Sequence, residues 1–275
     1  MESGASDVSI PIETVKTKDF SMDYFRFGHG EKALVILPGL SVDSVMKYAD
    51  GVSEAYNSFA DTFTVYVFDR RKELPAAYSL HEMAQDTAAA MQALGLEKAC
   101  LFGASQGGMI AMVIAIEYPE LISRLVLGST SSRVDPNHIG TIDNWIRLAK
   151  DGNAKELYLA FGEAIYPPAV FEQSRKLLAN SAKAVSKEDL SRFVTLAETI
   201  QGFDVTSQLR RIACPVLVIG SNDDRVLGGE ASEIIAEQLK DRTDCELYMY
   251  DGYGHAVYDL APDYQKRLLD FMGRE

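Results

Sequence analysis

Ser105 stands at the centre of Gly103-Ala104-Ser105-Gln106-Gly107, and its surroundings give it a chemical use. The apolar run Ala99-Cys100-Leu101-Phe102 leads into it, and the small-residue, helix-periodic run Gly108–Ala115 leads away. A strand, a tight turn with a central serine and a helix together expose a nucleophilic hydroxyl at a sheet edge. Cβ atoms at 103 and 107 would crowd the neighbouring strand and helix, so both flanking positions are glycine. The serine backbone itself must be strained to lift its hydroxyl clear. The new helix aims its first N–H groups at the space beside Ser105, where an oxyanion would form.

Such a hydroxyl needs a base to take its proton, and the base needs a carboxylate to hold its tautomer. The chain has four histidines. His255 ends the run Tyr250-Asp251-Gly252-Tyr253-Gly254-His255, directly after the strand candidate Glu246–Tyr250. His29 falls in a turn, His81 in the first turn of a helix and His138 before a helical segment, where structural or solvated roles suffice. A carboxylate is available after the strand candidate Pro215–Gly220, in Ser221-Asn222-Asp223-Asp224-Arg225-Val226-Leu227-Gly228. Asp223 and Asp224 compete for the role, and the other of the pair would serve as a turn residue bonding its own backbone. The order along the chain is Ser, Asp, His.

From about Ile10 onward the chain resembles the α/β-hydrolase superfamily, in particular its capped, single-domain, esterase-like members. The motifs that carry the resemblance are the turn at Ser105, the segment Leu37-Pro38-Gly39-Leu40, the acid turn at Asp224 and the loop at His255. Phe68-Asp69-Arg70-Arg71, Leu80–Asp86 and Tyr118–Leu127 also look like the family. The resemblance implies an α/β fold: a mostly parallel central sheet flanked by helices, with an inserted helical lid. It implies a triad of Ser105, His255 and Asp224, because acid, any residue, two apolar residues and then Pro or Gly fits Asp224–Gly228. Asp135 is a third candidate acid, since some relatives place it after the preceding strand. Backbone N–H groups of Leu40 and Gln106 are the implied oxyanion donors. Most relatives carry His-Gly where this chain has Pro38-Gly39, but the donor is the next residue's main chain.

Composition narrows the function further. The 275 residues suit one α/β domain with an insertion, and 47% hydrophobic and 24% charged residues are an ordinary globular balance. A net charge of −13 without any basic run argues against nucleic acid as a partner. Met1–Asp19 lacks the positive and apolar regions of a signal peptide, and Met1–Asp7 reads as a frayed end. No apolar stretch reaches the ~18 residues of a membrane span. Cys100, Cys214 and Cys245 are odd in number, widely spaced and set in or beside strands, which fits buried free thiols in a reducing cytoplasm. No metal motif or phosphate loop is present, so no cofactor is expected, and the expected partner is a small-molecule ester or thioester substrate.

The elements that position these residues follow from hydrophobic periodicity. Strands are expected at Ile10–Lys16 and Ser21–Phe27, then a hairpin turn through Gly28-His29-Gly30-Glu31 into the buried strand Ala33–Leu37. A helix over Ser44–Ala60 and a strand over Thr64–Phe68 come next. Arg70-Arg71-Lys72-Glu73 reads as a solvated loop, with the mouth of the pocket as its alternative place. Ser79 and Glu82 form a capping box for a helix that Gly95 ends. Alternating strands and helices predict parallel pairing with right-handed crossovers.

After Gly128 the rhythm changes. Helical segments replace strands at Thr141–Lys150, Ala154–Ile165, Pro168–Ala182 and Lys187–Ile200. The expected division is a core over 1–132, a helical cap over 133–209 and the rest of the core over 210–275. Gly39, Trp145, Phe161 and Tyr166 are the candidate substrate-contacting residues, with Tyr158 and Phe171 as further apolar cap positions.

The expected activity is hydrolysis of a small carboxylic ester or thioester through an acyl-enzyme. Acyl transfer, peptidase action and C–C bond hydrolysis use the same fold, and fold alone does not choose among them. Glu156, Glu163 and Glu172 are the acidic cap residues that a peptidase recognising a free amino terminus would use. A ligand-binding protein without catalysis is the third reading, and the complete triad weighs against it.

Overall fold

A computed structural model describes residues 9–274. The reading of Met1–Asp7 as a frayed end therefore lies outside the described residues. The sheet has eight strands in the order β1-β2-β4-β3-β5-β6-β7-β8. β1 (Ile12–Lys16) and β2 (Ser21–Phe27) pair antiparallel, and β2 pairs antiparallel with β4 (Phe63–Arg71). From β4 onward every pairing is parallel, through β3 (Lys32–Leu37), β5 (Ala99–Ala104), β6 (Ile122–Gly128), β7 (Val216–Ser221) and β8 (Cys245–Tyr250). The unbroken apolar runs of β3, β5 and β7 follow from burial on both faces.

The expected hairpin between β2 and β3 does not form, because β4 lies between them. Residues 28–31 instead cross the start of β4. A Cβ on Gly28 would meet Phe63 O at 2.4 Å, and one on Gly30 would meet the Thr62 carbonyl carbon at 2.0 Å. Both glycines serve this close backbone crossing rather than a tight turn.

Helices cover the sheet. The segment after β3 is α1 (Ala49–Ala55) between two 3-10 turns, Val45–Tyr48 and Asn57–Phe59, rather than one helix. Tyr48 and Tyr56 break it, with φ/ψ of −115°/17° and −97°/18°. α2 (Leu80–Ala93) starts at Ser79, whose hydroxyl accepts the Glu82 N–H at 3.2 Å and donates to the Glu82 carboxylate at 2.7 Å. α3 (Gln106–Glu117) is buried along nearly its whole length, as its uniform apolar sequence requires.

Between β6 and β7 the chain forms α4 (Ile139–Lys150), α5 (Ala154–Ile165), α6 (Pro168–Ser181) and α7 (Lys187–Glu198). A short antiparallel bridge, Arg133 to Asp204, ties the start of this helical segment to its end. Backbone bonds from Val134 N to Phe203 O (3.1 Å) and from Val205 N to Ser132 O (2.8 Å) flank it. α8 (Ala231–Gln238), α9 (Val257–Leu260) and α10 (Tyr264–Met272) complete the chain. Among the described residues no helix is long and apolar enough to cross a membrane. Cys100 is buried, whereas Cys214, two residues before β7, and Cys245, the first residue of the edge strand β8, are only half-buried.

Candidate active site

Ser105 occupies the turn between β5 and α3 with φ 52° and ψ −122°, a left-handed conformation that costs a non-glycine residue about 1–3 kcal/mol. Its neighbours permit that geometry. A Cβ on Gly103 would meet Gly107 O at 2.3 Å, and one on Gly107 would meet Leu37 O at 2.0 Å. The turn is thus pressed against the strand on one side and the Leu37–Pro38 main chain on the other.

Three parallel-strand ends converge there. His255 follows β8 and Asp224 follows β7, and both are buried. His255 Nε2 lies 2.9 Å from Ser105 Oγ, and His255 Nδ1 lies 2.7 Å from Asp224 Oδ2. An ionised carboxylate only accepts, so Nδ1 carries the proton and Nε2 is free to accept from the serine hydroxyl. The second carboxylate oxygen of Asp224 accepts the N–H groups of Val226 (2.8 Å) and Leu227 (3.1 Å). Burial alone drives the Asp224 carboxyl upward. The His255 imidazole and those N–H groups outweigh it and hold the group below the usual carboxylate range.

Asp223 does a different job. Its carboxylate accepts the Gly252 N–H at 3.0 Å, the Gly254 N–H at 3.1 Å and the Ser221 hydroxyl at 2.7 Å. Desolvation raises its pKa, but these donors win and lower it. One aspartate therefore faces the histidine ring while its neighbour anchors the loop that carries that histidine. Asp135 is far from this arrangement in role: it accepts the Asn137 N–H at 2.7 Å in a local turn.

An apolar chamber lies over Ser105 and His255. Of the residues expected there, Gly39, Trp145 and Phe161 line it together with Leu40. Trp145 and Phe161 pack ring against ring, with centroids 4.3 Å apart and planes tilted by 33°. Tyr166 does not line it. Its position ends α5 with extended backbone, and its carbonyl accepts from Arg225 at 2.6 Å. Tyr158 instead reaches Asp43 at 2.5 Å, and Phe171 packs under α5 beside Gly162. Met109, Ile142, Leu227 and Tyr258 line the chamber without having been singled out from sequence. Met109 had a signal, one helical turn beyond Ser105, and Leu227 another, in the apolar pair after the acid. The open volume is about 20 Å³, room for a water or two.

Beside the chamber, across Gly39 and Leu40, lies a polar recess bounded by Asp69, Arg70, Gln106 and Arg192. Arg70 is only 5% exposed, contrary to the solvated loop expected for 70–73, because β4 runs on to Arg71 and carries Arg70 inward. Arg71 lies 3.5 Å from Asp86. The other histidines sit elsewhere: His29 beside Asp61, His81 beside Glu117 and His138 beside Glu230. Among the described residues no cluster of three His, Cys, Asp or Glu side chains could hold a metal ion.

Comparison with known proteins agrees with this architecture. The RutD protein of Agrobacterium fabrum, named as a carbamate hydrolase, is 30% identical over 236 residues, covering 81% of this chain and 89% of that protein. RutD of Pseudomonas savastanoi pv. phaseolicola is 26% identical over 258 residues, covering 91% and 97%. Among solved structures, MGS-M2, an alpha/beta hydrolase enzyme from a Medee basin deep-sea metagenome library, matches with a TM-score of 0.84 at 22% identity, covering 96% of this chain and 98% of that one. The enol-lactonase of Burkholderia xenovorans LB400 matches with a TM-score of 0.80 at 17% identity, covering 95% and 100%. At such identities these structures share the fold. A family model described as alpha/beta hydrolase fold matches residues 32–262, most of the chain, and on that match the protein belongs to the alpha/beta hydrolase family.

Proposed function

We propose that the protein is a serine hydrolase that cleaves a small carboxylic ester or thioester through an acyl-enzyme. The observation that carries this reading is the continuous hydrogen-bonded line from Ser105 Oγ through His255 to Asp224, at 2.9 and 2.7 Å. Ser105 attacks the acyl carbonyl as His255 Nε2 takes its proton. Asp224 holds the imidazole tautomer and stabilises the imidazolium. N–H groups of Leu40 and Gln106 receive the oxyanion; Gln106 opens α3, where first-turn N–H groups lack intrahelical acceptors. Each donor is worth about 3 kcal/mol in the transition state. His255 then protonates the leaving group, and water activated by the same base releases the acid.

Residues 133–209 act as the cap in this reading, supplying Trp145 and Phe161 as the chamber's roof. The chamber's closeness favours small acyl groups and a cap that shifts as substrate enters. The names of the RutD relatives extend the candidate substrates to carbamates, whose carbonyl is attacked in the same way. A cytoplasmic location accompanies the reading, on the strength of three unpaired cysteines. The test is turnover of p-nitrophenyl esters, acyl thioesters and carbamates of graded size by wild type, Ser105→Ala and His255→Ala. Activity falling at least 10³-fold in both variants supports the mechanism. Full activity in Ser105→Ala overturns it.

A further inference from the structure

We propose that Arg70 is the positioning residue of the oxyanion site and that it ties both oxyanion donors to cap helix α7. The proposal rests on the serine-hydrolase reading above. Arg70 is a buried cation that makes no ion pair among the described residues, and its Nε has no hydrogen-bond partner. The nearest carboxylate in sequence, Asp69, is engaged elsewhere: it accepts from the Ser44 hydroxyl at 2.5 Å, from the Arg70 main-chain N–H at 2.6 Å, and lies 3.6 Å from Arg192. A guanidinium stays protonated inside proteins. Burying such a charge with no carboxylate in contact is costly even with Asp69 acting on it from a distance, so its retention calls for a compensating role.

Its contacts identify that role. Arg70 Nη2 donates to Pro38 O at 2.7 Å and, at a longer 3.4 Å, to Gln106 Oε1. Pro38 directly precedes Gly39-Leu40, and Gln106 directly follows the nucleophile. One guanidinium thus grips the two segments that supply the two donors. Holding the Pro38 carbonyl fixes the plane of the peptide that leads into the Leu40 turn. Holding the Gln106 side chain fixes the first residue of α3.

The network continues into the cap. Gln106 Nε2 donates to Leu196 O at 2.7 Å and to Thr199 Oγ1 at 3.2 Å, at the C-terminal end of α7. From the same helix, Arg192 donates to the main-chain carbonyls of Arg70, Arg71 and Lys72 at 2.9–3.2 Å. Arg70, Gln106, Leu196 and Thr199 are buried, and Pro38 is half-buried at the polar recess. Movement of α7 therefore pulls on Gln106 and on the end of β4 together, so seating of the cap and geometry of the oxyanion site are coupled.

The test uses the full chain with Arg70→Met, Arg70→Lys and Thr199→Val. Each variant is measured for kcat and KM on one ester, for inhibition by a trifluoromethyl ketone, and for Tm. The ketone adds Ser105 Oγ to its carbonyl carbon, His255 takes the hydroxyl proton, and the ketone oxygen becomes an oxyanion. It therefore reports the oxyanion site, as substrate KM does not. Arg70→Met is expected to lower kcat by about 10–100-fold with KM changed less than about 3-fold, and to weaken the ketone by a similar factor. Arg70→Lys keeps the charge and recovers part of both losses. Thr199→Val, nearly isosteric, is expected to shift kcat and ketone affinity in the same direction by about 2–5-fold, and it carries the test even if Arg70→Met unfolds. Ketone affinity and kcat within 2-fold of wild type in the folded variants overturn the proposal while leaving the serine mechanism standing. Absence of ketone inhibition in wild type overturns the serine reading and this proposal with it.

Discussion

Replacing Ser105 by glycine and by alanine separates the strain of the nucleophile turn from its chemistry. Both variants lose the hydroxyl and the 2.9 Å bond to His255, and both are expected to be inactive. Alanine keeps a Cβ at φ 52°, so it keeps the strain of about 1–3 kcal/mol. Glycine relieves that strain but adds roughly 0.5–1 kcal/mol of unfolded-chain entropy. Because the lost hydroxyl cancels in the comparison, Ser105→Gly should be more stable than Ser105→Ala by about 1 kcal/mol. For a chain of this size that corresponds to a Tm difference of about 2 °C. Urea unfolding of the two variants side by side, followed by circular dichroism, measures the difference directly. A glycine variant less stable than the alanine variant by 0.5 kcal/mol or more, on the order of the entropy cost alone, would refute the claim that the turn stores strain.

Asp224→Asn should leave KM nearly unchanged and lower kcat by about 10³–10⁴-fold, because an amide can donate to Nδ1 and favour the wrong tautomer; steady-state kinetics on any ester the protein cleaves checks this. Asp223→Asn should lower kcat far less, under about 10-fold, and act on stability instead, since it weakens the Gly252 and Gly254 contacts. The Asp223 carboxyl has a lowered pKa in the folded protein, so its stabilisation is complete above the unfolded carboxylate pKa and disappears as pH falls through the folded value. The Tm gap between wild type and Asp223→Asn should therefore be present at pH 7 and close in acid, and a gap that widens on acidification contradicts the assignment. Trp145→Ala should cost about 3–5 kcal/mol of stability and move the ester preference toward longer acyl chains, read from Tm and from kcat/KM across a chain-length series.

Much of this arrangement is legible in the chain. Unbroken apolar runs mark β3, β5 and β7, which are buried on both faces, whereas the edge strand β8 is half-exposed and shows only as a β-prone run. Ser105 and His255 are legible because each sits in a glycine-bracketed turn after a strand, whereas the residues alone leave Asp223 and Asp224 open and only the family resemblance points to Asp224. What escaped the sequence was long-range. Gly28 and Gly30 look like a hairpin locally, and only the insertion of β4 between β2 and β3 shows that they serve a backbone crossing. Val45, Ala49, Val52, Tyr56 and Phe59 keep helical spacing across the breaks at Tyr48 and Tyr56, so the pattern reads as one helix. Arg70 looks like one of several exposed cations, and its burial follows from the length of β4, which the charged residues concealed. Tyr166 shares its aromatic character with Trp145 and Phe161, but its place at the end of α5 turns it from the chamber.

The central claim is that Ser105 is an activated nucleophile served by His255 and Asp224. Its most direct measurement is reaction of the full chain with a fluorophosphonate, followed by peptide mass spectrometry to locate the adduct. The account predicts a single adduct on Ser105 in wild type, none on that peptide in Ser105→Ala, and labelling slowed by orders of magnitude in His255→Ala. An unlabelled Ser105 in folded wild type, tested also with a fluorophosphonate small enough to enter the closed chamber, would contradict it.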